Sequence, residues 1–246
     1  MDSKEARWLL QEKYQGRITP AAKQDLTRFK AGEPVDYLIG FVEFAGCRID
    51  LSQKPLIPRP ETEYWVLQAI QELKKDKREN ICCLDMFAGS GCVGVAILKH
   101  ISKAHIDFAE KEQRFKKQIL LNLKKNDIPL KRARIFTSNV FSNVKGKYDY
   151  IFANPPYVAT TRWKSVQPSV AKYEPREALI AGKDGLLYIK KFLKDAKNHL
   201  KLKGKIYLEF DSPQKKGIEK LLKKFGYSSW QFHKDQYGKY RFTVIT

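Results

Sequence analysis

Residues 81 to 110 constrain the fold of this chain more than any other stretch. Ile81 to Asp85 is a short apolar run with the character of a buried strand, and Phe87-Ala88-Gly89-Ser90-Gly91 is a tight turn. Val93 to His100 is apolar throughout and reads as a helix, and His105 to Ala109 is a second short strand. Strand, glycine turn and helix form a nucleotide-cofactor unit, because glycine lets the backbone approach a ligand and the helix N-terminus offers free N–H groups. A Gly-x-Gly alone carries little weight. Support comes from Glu110, 19 residues beyond Gly91, where a carboxylate can accept hydrogen bonds from both hydroxyls of a ribose. The helix dipole also favours an acidic residue at that place, and both readings hold together.

A second stretch, residues 148 to 157, suggests what such a cofactor is for. Tyr148 to Ala153 has the length and composition of a buried strand, and Pro155 and Pro156 stop it because they lack N–H donors and have fixed φ. Asn154 therefore sits at the C-terminal end of a strand, where open α/β sheets bind ligands. The Asn154 side-chain carbonyl and a proline backbone carbonyl can hold the two N–H groups of a planar nitrogen and aim its lone pair at an electrophile. Tyr157 would stack on the flat group. A strand ended by an Asn-Pro turn with one packed tyrosine explains the same residues, and the two readings balance at this point.

The rest of the chain fits an α/β pattern. Ala6 to Tyr14 reads as one amphipathic helix, and a second follows with Thr19 as N-cap and Pro20 at its first position, ending near Gly32. Phe41 to Phe44 and Arg48 to Leu51 form a hairpin around Ala45-Gly46. After Leu56 to Pro60 a helix begins near Thr62, an adequate N-cap, and runs to about Leu73. Lys111 to Lys125 is a long helix with Phe115, Ile119 and Leu123 on one face, and Ala133 to Phe136 is a third strand. Val158 to Ile180 lacks periodicity and contains Trp163, Pro168, Tyr173 and Pro175, so it reads as a functional or mobile cover over the site. A helix from Gly185 to Leu200, a strand from Lys205 to Phe210, a helix from Pro213 to Phe225 and a closing strand pair, Ser229 to His233 and Tyr240 to Ile245, complete a doubly wound sheet with an antiparallel edge. The division expected is 1–34 a short helical appendage, 35–55 a hairpin linker and 56–246 a catalytic domain.

Composition excludes some classes and leaves others open. No window of about 18 apolar residues exists and Met1 to Arg7 is polar, which reads as a cytoplasmic protein without membrane span or signal peptide. Cys47, Cys82, Cys83 and Cys92 and the four scattered histidines show no metal spacing, so free thiols and no metal site are expected. The net charge of +20, from 47 Lys and Arg against 27 Asp and Glu, points to nucleic acid, ribosomes or acidic partners. A general lysine bias on solvated helix faces explains it equally, and charge alone does not choose a substrate.

Four separated stretches resemble one family, the HemK/PrmC group of S-adenosylmethionine-dependent protein-glutamine methyltransferases. They are Ile57-Pro58-Arg59-Pro60-Glu61-Thr62-Glu63, Asp85 to Gly91, Asn154 to Tyr157, and Glu174-Pro175 with Ala178-Leu179, Gly182 and Asp184-Gly185-Leu186. Glu209 to Gln214 and Asp235 to Arg241 are weaker echoes, and the resemblance covers Val35 to Thr246. It implies a class I methyltransferase, a Rossmann-like doubly wound sheet of order 3-2-1-4-5-7-6, that methylates a glutamine amide in the Gly-Gly-Gln loop of peptide chain release factors. It also implies roles. Asp85, Phe87, Ala88, Gly89, Ser90 and Gly91 would line the methionine end of the cofactor, Glu110 its ribose, and Asn139 with Val140 its adenine. Asn154, Pro155, Pro156 and Tyr157 would hold the glutamine, with Arg59 and Glu61 beside them, and Asn154, Pro155 and Tyr157 would be catalytic.

Three departures stand out. Phe87 occupies the place of a first glycine, Asn139 that of an acidic residue, and the appendage before Val35 is much shorter than the family's helical N-terminal domain. Two other functions use the same corner: a DNA or RNA amino-methyltransferase, for which the chain has little length left for a recognition domain, and a ribosomal-protein glutamine methyltransferase. A degenerate, non-enzymatic binding protein is disfavoured by the intact Asn154 to Tyr157 corner and Glu110. A monomer is expected.

Overall fold

The computed structural model describes residues 3–246. Two helices, α1 (Lys4–Tyr14) and α2 (Pro20–Lys30), are capped by the hydroxyls of Ser3 and Thr19, each accepting a backbone N–H at 3.1 Å. A five-residue helix, α3 (Val35–Ile39), follows. It is too short to show periodicity, which is why the sequence does not announce it. The hairpin β1 (Phe41–Phe44) and β2 (Cys47–Asp50) forms as expected around Ala45-Gly46. It adds no strand to the main sheet. Instead the N–H groups of Arg48, Asp50 and Gln53 donate to the side chains of Asn126, Asn122 and Gln118, so the hairpin is pinned to the helix that carries those amides.

The next helix, α4 (Pro60–Lys75), starts two residues before the expected Thr62, with Pro60 at its first position and Arg59 as its N-cap residue. Proline is favoured there because its missing N–H would be unpaired anyway. Thr62 is thereby freed from capping and turns inward. The order is then β3 (Ile81–Met86), α5 (Cys92–His100), β4 (Ala104–Glu110), α6 (Gln113–Lys125), β5 (Ala133–Thr137) and β6 (Tyr148–Ala153). Val158 to Ile180 is ordered, not formless: it holds two 3-10 turns and the short helix α7 (Pro168–Tyr173), and a bridge between Val158 and Ile180 ties its two ends together.

A second boundary also differs from expectation. Helix α8 (Leu187–Asp195) ends early in a 3-10 turn, and β7 (Leu200–Glu209) begins where the helix was expected to finish. The helix was expected to run on to Leu200 and the strand to begin at Lys205, but Leu200 pairs with Tyr148 at the start of β6. Helix α9 (Lys215–Lys224), β8 (Trp230–Lys234) and β9 (Tyr240–Ile245) close the chain.

The main sheet has seven strands in the order β5-β4-β3-β6-β7-β9-β8, with only β9 antiparallel to its neighbours. Numbered by themselves these strands run 3-2-1-4-5-7-6, the order the resemblance implies. From β3 the chain winds outward through β4 and β5, then returns to place β6 on the other side. The switch point therefore lies between β3 and β6, where a crevice opens at the carboxyl ends of the strands. Register decides what meets there: Met86 pairs with Ala153, so the glycine turn and Asn154 leave the sheet side by side. On one face Trp65 of α4 is fully buried against Phe152, Tyr207 and Phe242, with ring centroids 6.1 to 6.3 Å away. On the other, Ile189, Phe192 and Leu193 of α8 and Ile218 and Leu222 of α9 cover the sheet.

Candidate active site

A cleft with about 940 Å³ of empty space, counted out to solvent, opens at this switch point. Its floor is the glycine turn. Gly89 has φ +53° and its N–H donates to Glu110 Oε2 at 2.7 Å. Glu110 Oε1 accepts the Glu112 N–H at 2.8 Å, so the carboxylate is clamped between two backbone donors while each oxygen keeps a second lone pair. Burial raises the Glu110 pKa above the usual glutamate value, with the N–H groups of Glu112, Gly89 and Lys111 opposing that rise. Asp85, near the end of β3, accepts the Gly94 N–H at 2.9 Å and is buried. Burial outweighs that hydrogen bond and pushes its pKa up to about 8.

Two non-glycine residues in the cleft wall have left-handed backbones, Phe87 at φ +63° and Val140 at φ +54°. Such positions cost about 1 kcal/mol or more and persist only where neighbours hold them. Phe87 is held by an edge contact to Tyr188 and a tilted one to Phe192. Val140 is held through its carbonyl, which accepts from the Ser138 hydroxyl at 2.5 Å.

Asn154 stands on a partition. It lines the large cleft and also a second, smaller cavity of about 300 Å³ that includes Pro155, Tyr157, Val158 and Leu179. Leu56, Arg59 and Ala178 border both spaces. The Asn154 Nδ2 donates to Thr62 Oγ1 at 3.2 Å, and the Thr62 hydroxyl donates to Glu209 Oε2 at 2.7 Å. Trp65 Nε1 donates to the same oxygen at 2.7 Å, and the Tyr157 hydroxyl reaches Glu209 Oε1 at 3.3 Å. Burial raises the pKa of Glu209, while Trp65, Thr62, Arg241 and Tyr157 pull it back. Burial also lifts the Tyr157 phenol, which stays protonated.

Comparison with known proteins places this geometry in a family. Residues 67–172 match the model of the methyltransferase small domain. The release factor glutamine methyltransferase of Thermodesulfovibrio yellowstonii is 33% identical over 87% of this chain and 76% of its own length. That of Buchnera aphidicola subsp. Schizaphis graminum is 35% identical over 88% of this chain and 76% of its own. The chain belongs to the release factor glutamine methyltransferase family. Solved structures agree on the fold: a Pyrococcus furiosus methyltransferase superposes with a TM-score of 0.57 at 21% identity, covering 91% of this chain and 95% of that one. M. jannaschii TYW2 in complex with AdoMet gives 0.53 at 18% identity over 83% of each chain.

Of the residues to which the family resemblance assigns roles, most line the two spaces, and Gly91 and Glu61 do not. Asp85, Phe87, Ala88, Gly89, Ser90, Glu110, Asn139, Val140 and Asn154 all line the large cleft, and Pro156 joins them. Pro155 and Tyr157 face the smaller cavity. Gly91 does not line the cleft. It is the left-handed N-cap of α5, and an added Cβ would come within 3.0 Å of Ile119, so it serves close packing on α6. Glu61 is outside both spaces as well. Starting α4 at Pro60 sends Thr62 inward, and the roughly 100° between successive helical residues turns Glu61 away. Arg59 borders both spaces but spends its Nη2 on Glu174 Oε1, at 2.6 Å. Thr62 and Glu209 enter the site with no sequence signal beyond their membership of the matched stretches, and Trp65 with none at all, because the site is assembled from residues 92 to 147 positions apart.

The donor set fits S-adenosylmethionine. The clamped Glu110 carboxylate offers two acceptors to a ribose diol, the glycine turn leaves backbone accessible, and Asn139 and Val140 wall the far end. Asn139 is exposed and its side chain makes no hydrogen bond, which leaves its amide free to meet an adenine edge.

Proposed function

We propose that this chain methylates the side-chain amide nitrogen of a glutamine, in the Gly-Gly-Gln loop of a peptide chain release factor, using S-adenosylmethionine. The observation that carries the reading is the position of Asn154 on the partition between a cofactor-sized cleft and a small, mostly apolar cavity that Pro155 and Tyr157 wall. Bound S-adenosylmethionine supplies an electrophilic methyl group on a sulfonium.

The chain's own residues then have limited work. The Asn154 carbonyl and the Pro155 backbone carbonyl accept the two amide N–H groups and hold the nitrogen lone pair toward the large cleft. Tyr157 and Leu179 wall the incoming side chain, which excludes water from the reacting nitrogen. The step requires no covalent enzyme intermediate.

Placement of the appendage supports a protein substrate. The Tyr173 hydroxyl of α7 donates to the Ala31 carbonyl at 3.3 Å, so the small helices sit beside the segment that borders the cavity. We read residues 1–34 and 35–55 as appendage and linker to a catalytic domain at 56–246 that works as a monomer in the cytoplasm. Among the described residues no helix is long and apolar enough to cross a membrane. The net charge of +20 suits work near ribosomes, where partners are acidic.

The test is methyl transfer from labelled cofactor to purified release factor, to a ribosomal-protein mixture, and to RNA and DNA, with mass spectrometry locating the modified residue. Label on the Gly-Gly-Gln glutamine supports the proposal. Label in nucleic acid alone overturns it in favour of an amino-methyltransferase.

A further inference from the structure

We infer that Thr62, Trp65 and Glu209 are positioning residues that decide which way the Asn154 carboxamide faces, so that its oxygen, not its NH2 group, meets the substrate amide. The inference deepens the function proposed above and rests on it for its kinetic readout.

An indole N–H only donates. Trp65 Nε1 lies 2.7 Å from Glu209 Oε2, so that oxygen accepts. Thr62 Oγ1 lies 2.7 Å from the same oxygen, and an oxygen of the ionised carboxylate carries no proton and only accepts. The Thr62 hydroxyl must therefore donate, and its single hydrogen is committed. What remains on Thr62 toward Asn154, 3.2 Å away, is a lone pair. Only the NH2 end of Asn154 can face it favourably.

Direction thus passes from the fully buried Trp65 through Glu209 and Thr62, which are about 1% exposed each, to a half-buried Asn154. The consequence is chemical. With Nδ2 turned to Thr62, Oδ1 is presented as an acceptor, which pairs with a substrate N–H. The opposite rotamer would set one NH2 group against another, and both donors would be left unpaired. An unpaired buried donor costs about 1–3 kcal/mol, a bias of roughly 5- to 150-fold toward the productive rotamer that is lost when the Thr62 lone pair is removed. None of the three residues touches the reacting atoms; they act through Asn154.

Four variants and two readouts test this. Thr62→Val keeps the shape and removes the hydroxyl; kcat for glutamine methylation should fall about 10- to 100-fold, with the cofactor Kd unchanged. Thr62→Ser should rescue turnover to within about 3-fold, since it restores the hydroxyl. Glu209→Gln keeps an acceptor oxygen for Trp65 and Thr62 and should retain the turnover that Glu209→Leu loses. If Gln and Leu are equally damaging, Glu209 acts through its charge and the inference is overturned.

The second readout does not depend on the substrate. In 15N-labelled protein the Asn154 side-chain NH2 should exchange slowly with solvent, and Thr62→Val should speed that exchange while the backbone amides of β6 keep their protection. Unchanged exchange in Thr62→Val overturns the inference. A parent enzyme that fails to methylate any release factor counts against the proposed function, while the exchange measurement still decides the positioning role.

Discussion

Arg59 donates through Nη2 to Glu174 Oε1 at 2.6 Å across 115 positions of sequence, joining the start of α4 to the end of α7. The other oxygen, Oε2, accepts the Ile57 N–H at 3.1 Å, and the Glu174 side chain is 1% exposed. The pair holds two segments that both reach the rim of the site. Replacing Arg59 by Ala leaves a buried carboxylate with one neutral donor, so we expect a loss of about 3 kcal/mol in urea unfolding. Arg59→Lys should recover part of it.

Arg114, in the first turn of α6, forms an ion pair with Glu177, a residue of the segment after α7 that lines the large cleft. Both side chains are well exposed, so breaking the pair should change stability by less than about 1 kcal/mol. Its effect belongs to access. Glu177→Ala and Arg114→Ala should both speed S-adenosylmethionine dissociation in stopped-flow fluorescence, and high salt should bring the parent protein toward the variants.

Gly94 lies in α5 directly against β4 and β3. A Cβ added there would come within 2.6 Å of Phe108 Cζ and 3.1 Å of Asp85 Oδ2. Neither neighbour can retreat, since Phe108 is fully buried and Asp85 accepts the Gly94 N–H. Gly94→Ala should cost about 2 kcal/mol in equilibrium unfolding by overpacking. The same change should weaken cofactor binding by calorimetry, because the strand end that carries the glycine turn must shift.

Asp85 predicts a pH dependence whose sign follows from burial. Its folded pKa is raised to about 8, whereas the unfolded chain ionises it near the ordinary aspartate value of about 4. The folded state therefore binds the proton more tightly, so the contribution of this group to stability is complete below about pH 4 and is lost as pH rises toward 8. Asp85→Asn removes this dependence. Cofactor-free protein should show, by denaturation from pH 4 to 8, a decline in stability that is shallower in Asp85→Asn.

Much of the fold was legible because its cues are local. Strand, glycine turn and helix announce themselves through composition and period, and Pro155 and Pro156 end β6 whatever surrounds them. The boundaries that moved did so where a tertiary partner outweighed a local pattern. Thr62 has the chemistry of an N-cap, yet Pro60 starts the helix and Glu209 takes the hydroxyl. Residues up to Leu200 read as helix, yet Tyr148 draws Leu200 into the sheet.

The site divides along the same line. Glu110 and Asn154 could be picked out from sequence, since each stands at a strand end at a telling distance from glycine or proline. Their surroundings could not. Pairing of Met86 with Ala153 is a matter of sheet register, which sets the glycine turn beside Asn154 and has no signature in either strand alone. By itself the sequence determined which groups the chain has available: a carboxylate at a strand end, a glycine turn and an amide before two prolines. Only the tertiary structure decided that Trp65 and Glu209, buried from water, leave Thr62 a single hydrogen-bonding direction, because that constraint exists only once residues far apart in sequence share one enclosed space.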